Sequence, residues 1–134
     1  MTSDCLRILL VEDDAAVAAD LLACLQEAGH EVLSVEARSD FALTAARLLQ
    51  PDVVVLNVRL RGPLDGLAVA STLRASRPVP VIFITAQAEH ASLLQQAQAS
   101  PLAILATPLL GRDLCQDLGR ALTQAMCEAQ AHTL

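Results

Sequence analysis

The sequence predicts an open α/β fold, a doubly wound parallel sheet with helices on both faces, and three observations predict it. Short runs of strand type alternate with longer segments of helix type from one end of the chain to the other. The first, third and fourth of these runs are apolar on both faces, as strands covered by helices on each side must be. The polar residues able to do chemistry gather just beyond the ends of the runs, where sheets of this class keep their sites.

Five runs read as strands: Leu6 to Val11, Glu31 to Val35, Asp52 to Leu56, Val79 to Ile84 and Leu102 to Ala106. The segments between them carry apolar residues three and four apart, as in Val17, Leu21, Leu22 and Leu25, or Leu114, Leu118, Ala121, Leu122 and Ala125. The order is a strand–helix unit repeated five times, (βα)5. Gly29 suits the C-cap of the first helix, Pro51 and Pro78 stop the second and third, and Ser39 or Asp40 is placed to cap the start of the second. Asp13 or Asp14 could cap the first helix and favour its positive end. No linker is visible in 134 residues, so a single domain spanning 1–134 is expected. A fifth helix followed only by AHTL suggests that it stands alone.

Composition removes several function classes. Hydrophobic residues make up 54% of the chain, yet no apolar run approaches the roughly 20 residues of a membrane span. With no leader-like opening either, a cytoplasmic protein without membrane contact is expected. A net charge of -6 and scattered basic residues argue against nucleic-acid binding, which needs clustered cations. All 9 basic residues are Arg, and Lys, Trp and Tyr are absent. Cys5, Cys24, Cys115 and Cys127 form no zinc-like spacing and lie in or beside apolar runs, which reads as buried thiols in a reducing compartment. His30, His90 and His132 have no ligand-like spacing and read as exposed. Gly62, Pro63 and Gly66 are turn chemistry, and no phosphate-cradling glycine loop is present.

The strand ends carry Glu12, Asp13 and Asp14; Asn57; Thr85; and Thr107 with Pro108. RILLVEDD, VVVLNVRLRGPLDG, VIFITA and AILATP resemble, in order and spacing, the strand ends of the receiver domain of two-component response regulators. The resemblance runs from Arg7 to about Met126 and implies a flavodoxin-like sheet of strand order 2-1-3-4-5. It also implies that Glu12 and Asp13 match the acids that hold Mg2+ and that Arg59 matches the position whose carbonyl completes the metal shell. Thr85 matches the hydroxyl that binds the phosphoryl group, and Pro108 follows the position of a Lys. Two matches fail. Asn57 stands at the position of the phosphate-accepting Asp, and Thr107 at that of the Lys. Ile104 replaces the aromatic switch residue on the fifth strand.

The consequence of those departures follows from chemistry. An acyl phosphate needs a carboxylate nucleophile, and an amide oxygen is far less nucleophilic and carries no charge. Thr107 offers a neutral hydrogen bond where a cation would neutralise the transferring group, and no Lys elsewhere can substitute. The metal position retains two carboxylates, so Mg2+ binding there is expected to be weak or vestigial.

Three function classes follow. The first is a degenerate, pseudo-receiver of the phosphorelay, no enzyme, that acts by contact with a histidine kinase, a phosphotransferase or another receiver-containing regulator. The second is a receiver that accepts phosphate, with Asn57 engineered in place of Asp or with Asp52 or Asp65 serving instead. The third is a small flavodoxin-like cofactor-binding protein, for which two Phe as the only aromatics offer little ring stacking. The first is favoured. A contact face is expected on the fourth helix, fifth strand and fifth helix, a common dimer face of the family. There Leu93 and Leu94 are adjacent, and Arg112, Asp113, Asp117 and Arg120 rim the apolar stripe.

Overall fold

The structure is a computed structural model and describes residues 5–58, 60–85, 103–106 and 115–123. In chain order the elements are β1 (Arg7–Val11), α1 (Ala15–Glu27), β2 (Glu31–Glu36), α2 (Ser39–Leu49), β3 (Val53–Asn57), α3 (Gly66–Ser76), β4 (Val81–Thr85) and β5 (Ala103–Ala106). A further helix occupies 115–123. The strands form one parallel sheet in the order β2-β1-β3-β4-β5.

Period-two alternation divides the interior into two cores. Leu9 and Val11, Val54 and Leu56, and Val81 and Phe83 face one side, where they meet Ala42, Ala45 and Ala46 of α2 and Val69, Ala70 and Leu73 of α3. Ile8 and Leu10, Val53 and Val55, and Ile82 and Ile84 face the other, against Leu21 and Leu25 of α1 and Leu118, Ala121 and Leu122 of helix 115–123. Such strands have no solvent face, which is why they read as unbroken apolar runs. β2, at the edge, is only half-buried, and its register against β1 slips between Ile8 and Leu9.

Local chemistry fixes the helix ends. Asp14 is the N-cap of α1 and its carboxylate accepts from the backbone N–H groups of Ala16 and Val17. Gly29, at φ +90°, follows the Ala28 C-cap in a conformation that other residues avoid. α2 ends where Gln50 turns left-handed ahead of Pro51, and α3 ends where Arg77 extends ahead of Pro78.

Four expectations are corrected. The N-cap of α2 is Arg38, with no side-chain cap bond. Ser39 lies inside the helix, fully buried, and its hydroxyl accepts from the Leu64 N–H, while its own N–H donates to the Arg61 carbonyl. Asp40 instead pairs with Arg38 at 3.0 Å, which holds its carboxyl below the usual Asp range. His30 is half-buried, and its Nδ1 accepts from the Leu6 N–H at 3.1 Å, so it belongs to the turn into β2. The thiols also differ: Cys24 and Cys115 form a disulfide between α1 and helix 115–123, with Cα atoms 5.2 Å apart, and Cys5 is exposed. Helical faces turned toward one another bring together residues 91 apart in sequence, which no spacing rule on either helix encodes. Strand limits also move by a residue or two. The largest shifts are at β4, which starts at Val81, and β3, which takes in Asn57. The expectations on the fourth helix with Leu93 and Leu94, and on Arg112, Asp113, Leu114, His90, His132, Ala125 and Cys127, lie outside the described residues. Among the described residues no helix is long and apolar enough to cross a membrane.

The turn after β3 is closed by contact with Gly66, whose N–H donates to the Val58 carbonyl at 2.7 Å. A Cβ at Gly66 would lie 2.3 Å from the Asn57 carbonyl oxygen and 2.7 Å from Val58 Cα. Backbone on both sides cannot yield cheaply. Gly66→Ala should therefore destabilise the fold by about 2 kcal/mol or more, read as a lower urea midpoint with an unchanged slope.

Candidate functional site

Parallel pairing levels the carboxyl ends of the central strands. Val11 lies beside Leu56, Asn57 beside Ile84 and Thr85 beside Ala106, so Glu12, Asn57 and Thr85 come to one end of the sheet. The ladder continues past Asn57, where the Val58 N–H donates to the Ile84 carbonyl at 3.0 Å.

Glu12 is the buried carboxylate of this end, only 3% exposed. Asn57 Nδ2 reaches both of its oxygens at 2.8 Å, and Oε2 also accepts from the Asp14 N–H at 3.0 Å. Only the donor end of the amide can face a carboxylate, because its oxygen would meet two negative oxygens. Burial raises the Glu12 pKa above its ordinary value, and the Asp14 and Asn57 donors partly oppose that shift. Asp13 is half-buried, with Arg61 Nε 4.0 Å from its Oδ2. The Arg61 side chain is 74% exposed, so this pair contributes at most about 1 kcal/mol.

Of the sequence-predicted site residues, Glu12, Asp13 and Asn57 are brought together, and the backbone of Thr85 ends the neighbouring strand. Ile104 lies in β5 beside Phe83. Arg59 and Thr107 fall outside the described residues. Asp52 and Asp65, the other acids weighed as acceptors, are engaged elsewhere. Asp52 accepts from the Arg7 N–H at the opposite end of the sheet, and Asp65 caps α3 through the Ala68 N–H. Sequence reasoning missed Arg61 and the anchoring role of Ser39. Neither has a local signal, since both are placed by the docking of the post-β3 turn on α2.

Residues 8–118 match the family model for the response regulator receiver domain. The chain belongs to the response regulator receiver family, the signalling module of two-component systems. It is 30% identical over 108 residues to the transcriptional regulatory protein PdtaR of Mycobacterium tuberculosis, a match covering 81% of this chain and 52% of that protein. It is 39% identical over 117 residues to the positive alginate biosynthesis regulatory protein of Pseudomonas aeruginosa, covering 84% and 46%. The chain thus spans about half the length of these curated relatives. Among solved structures, the signal receiver domain of a modulated diguanylate cyclase from Desulfovibrio desulfuricans superposes with a TM-score of 0.85 at 29% identity, over 96% of this chain and 99% of that one.

Receiver domains in general bind Mg2+ at their phosphorylation site. The residues here do not fit a resident Mg2+ well. Glu12 already spends both oxygens on Asn57 and the Asp14 N–H, and the donor end of the Asn57 amide faces the carboxylate. Among the described residues no cluster of three or more acidic, His or Cys side chains is arranged to hold a metal. A hard dication favours several charged oxygens in a near-octahedral shell, and here one of the two carboxylates is already engaged and the amide turns its donor end inward.

Two outcomes follow from this geometry. Asn57→Asp sets two carboxylates against each other, so without metal it should lose about 1–3 kcal/mol of stability. Millimolar Mg2+ should restore the melting temperature of that variant while leaving the unaltered protein almost unmoved. The second concerns pH. A carboxyl whose folded pKa is raised holds its proton longer in the folded chain. The stability it contributes is fully present below the ordinary Glu value of 4.5 and is lost as pH rises through the raised folded value. Glu12→Gln should remove that fall, which denaturant titrations between about pH 4 and 7 would register as a flatter profile.

Proposed function

We propose that this receiver works by protein contact in its unmodified state and does not pass through an acyl phosphate. The observation that carries the reading is the identity and engagement of Asn57. At the position where the family has its acceptor Asp, the chain has an amide whose nitrogen is spent on Glu12. Thr107, in place of the Lys, supports the same conclusion from the charge side. On this reading Glu12, Asp13, Asn57 and the Arg59 carbonyl are a vestigial metal site, Thr85, Thr107 and Ile104 a switch that has lost its trigger, and the protein is not an enzyme.

The whole chain, 1–134, is read as one (βα)5 receiver unit of the cytoplasm. Its partners are a histidine kinase, a phosphotransferase or another receiver-containing regulator, met without nucleic acid or membrane. The contact face proposed comprises β5, helix 115–123 and the fourth helix expected from the sequence, and through it the chain pairs with a second copy or with another receiver. On helix 115–123, Asp117 is half-buried and Arg120 exposed, so unlike charges can meet across a two-fold axis.

Acetyl phosphate with millimolar Mg2+ should leave the intact mass of the protein unchanged. A stoichiometric phosphate adduct would overturn the reading, and replacement of Asp52 and Asp65 would tell whether either of them carries it. Asn57→Asp should take phosphate slowly, and Asn57→Asp with Thr107→Lys distinctly faster, by about tenfold or more, in a radiolabel time course. For the contact face, Arg120→Glu and Asp117→Arg should each weaken self-association in sedimentation, and the pair together should partly restore it.

A further inference from the structure

The Cys24–Cys115 bond lies outside the site at the strand ends and joins two elements that the core already packs together. Leu118, Ala121 and Leu122 of helix 115–123 are buried in the same apolar cluster as Leu21 and Leu25 of α1. The disulfide stands at the rim of that cluster, and both of its cysteines are partly exposed. Small domains need staples because their cores are insufficient, but this chain has 134 residues and a filled core on each face of its sheet. The bond therefore adds a covalent tie to a contact that can persist without it, and neither of its cysteines is sealed inside the core.

We propose that Cys24 and Cys115 form a reversible thiol–disulfide site, opened by a protein dithiol, that sets how firmly helix 115–123 is held on α1. In the opening step a thiolate of the dithiol attacks one of the two sulfurs. The S–S bond breaks, its electron pair leaves on the other sulfur, and that thiolate takes up a proton. The dithiol's second thiolate then attacks the mixed disulfide and frees the remaining cysteine. Two electrons and two protons pass to the protein, and the dithiol becomes a disulfide. Glutathione disulfide closes the site by the reverse exchange, leaving two molecules of reduced glutathione. In the closed form α1 and helix 115–123 open only together, whereas in the open form the helix detaches against the packing of Leu118, Ala121 and Leu122 by itself.

The test uses the full chain under native conditions. The protein is incubated with glutathione disulfide, then with reduced thioredoxin as the dithiol. At each stage thiols are counted by acid quench, alkylation in denaturant and intact mass. Peptide mapping should find Cys24 and Cys115 protected from alkylation in the closed form and both alkylated in the open form, with circular dichroism unchanged and the cycle repeatable. Amide hydrogen exchange across 115–123 should rise about tenfold or more on opening, with a smaller change in β1 and β3. Cys115→Ser should show the open-form exchange pattern in either redox buffer. If that variant does not fold, the reduced unaltered protein supplies the same comparison. The proposal is overturned if glutathione disulfide never closes the pair, if thioredoxin opens it only in denaturant, or if opening leaves exchange in 115–123 unchanged. Whether the protein accepts phosphate bears on none of these readouts.

Discussion

The contact of the Asn57 amide with the Glu12 carboxylate organises the far end of the sheet. A carboxylate 3% exposed costs several kcal/mol unless donors replace its water, and here the donors come from two directions. One is the Asp14 N–H at the start of α1, and the other is a side chain 45 residues away at the end of β3. The second can arrive only because β1 and β3 are neighbours in register, with Val11 level with Leu56. The amide thus does in neutral form what a cation would do for a pair of acids. It satisfies the buried charge without adding one of its own.

The turn that follows Asn57 is held as tightly as the residue itself. Gly66 lets its backbone lie against Asn57 and Val58, and Ser39, buried inside α2, fixes the turn from the other side through Leu64 and Arg61. Arg61 is carried by this same segment to the neighbourhood of Asp13. The position, exposure and partners of the polar residues at this end are consequences of backbone docking. Replacing one side chain there therefore changes chemistry more than shape.

Much of this was legible because it is local or periodic. The alternation of strand and helix, the both-face burial of β1, β3 and β4, the Asp14 cap and the left-handed Gly29 follow from residue order and spacing. The amide at position 57 was legible too, as one polar side chain after an apolar run. What escaped depends on pairs distant in sequence. Ser39 resembled an N-cap, but the loop from 60 to 65 recruits its hydroxyl across the fold. His30 looked like a solvent residue until the Leu6 N–H claimed its ring nitrogen. Cys24 and Cys115 looked like separate apolar thiols because neither helix carries a record of which face meets the other. The direction of the Asn57 amide was likewise invisible, since it is decided by a carboxylate on another strand.

The ladder bond from the Val58 N–H to the Ile84 carbonyl also governs how the molecule ages. An asparagine loses ammonia when the next backbone nitrogen swings onto its side-chain carbonyl and closes a cyclic imide, whose hydrolysis leaves an acid. At position 57 that nitrogen is committed to the sheet, and Val58 is buried and branched at Cβ. Hydrolysis here would put a carboxylate in place of the amide that Glu12 now accepts from, and so set two acids against each other. Pairing of β3 with β4 blocks that drift, so the neutral state of residue 57 is protected by the same hydrogen bond that aligns the strand ends.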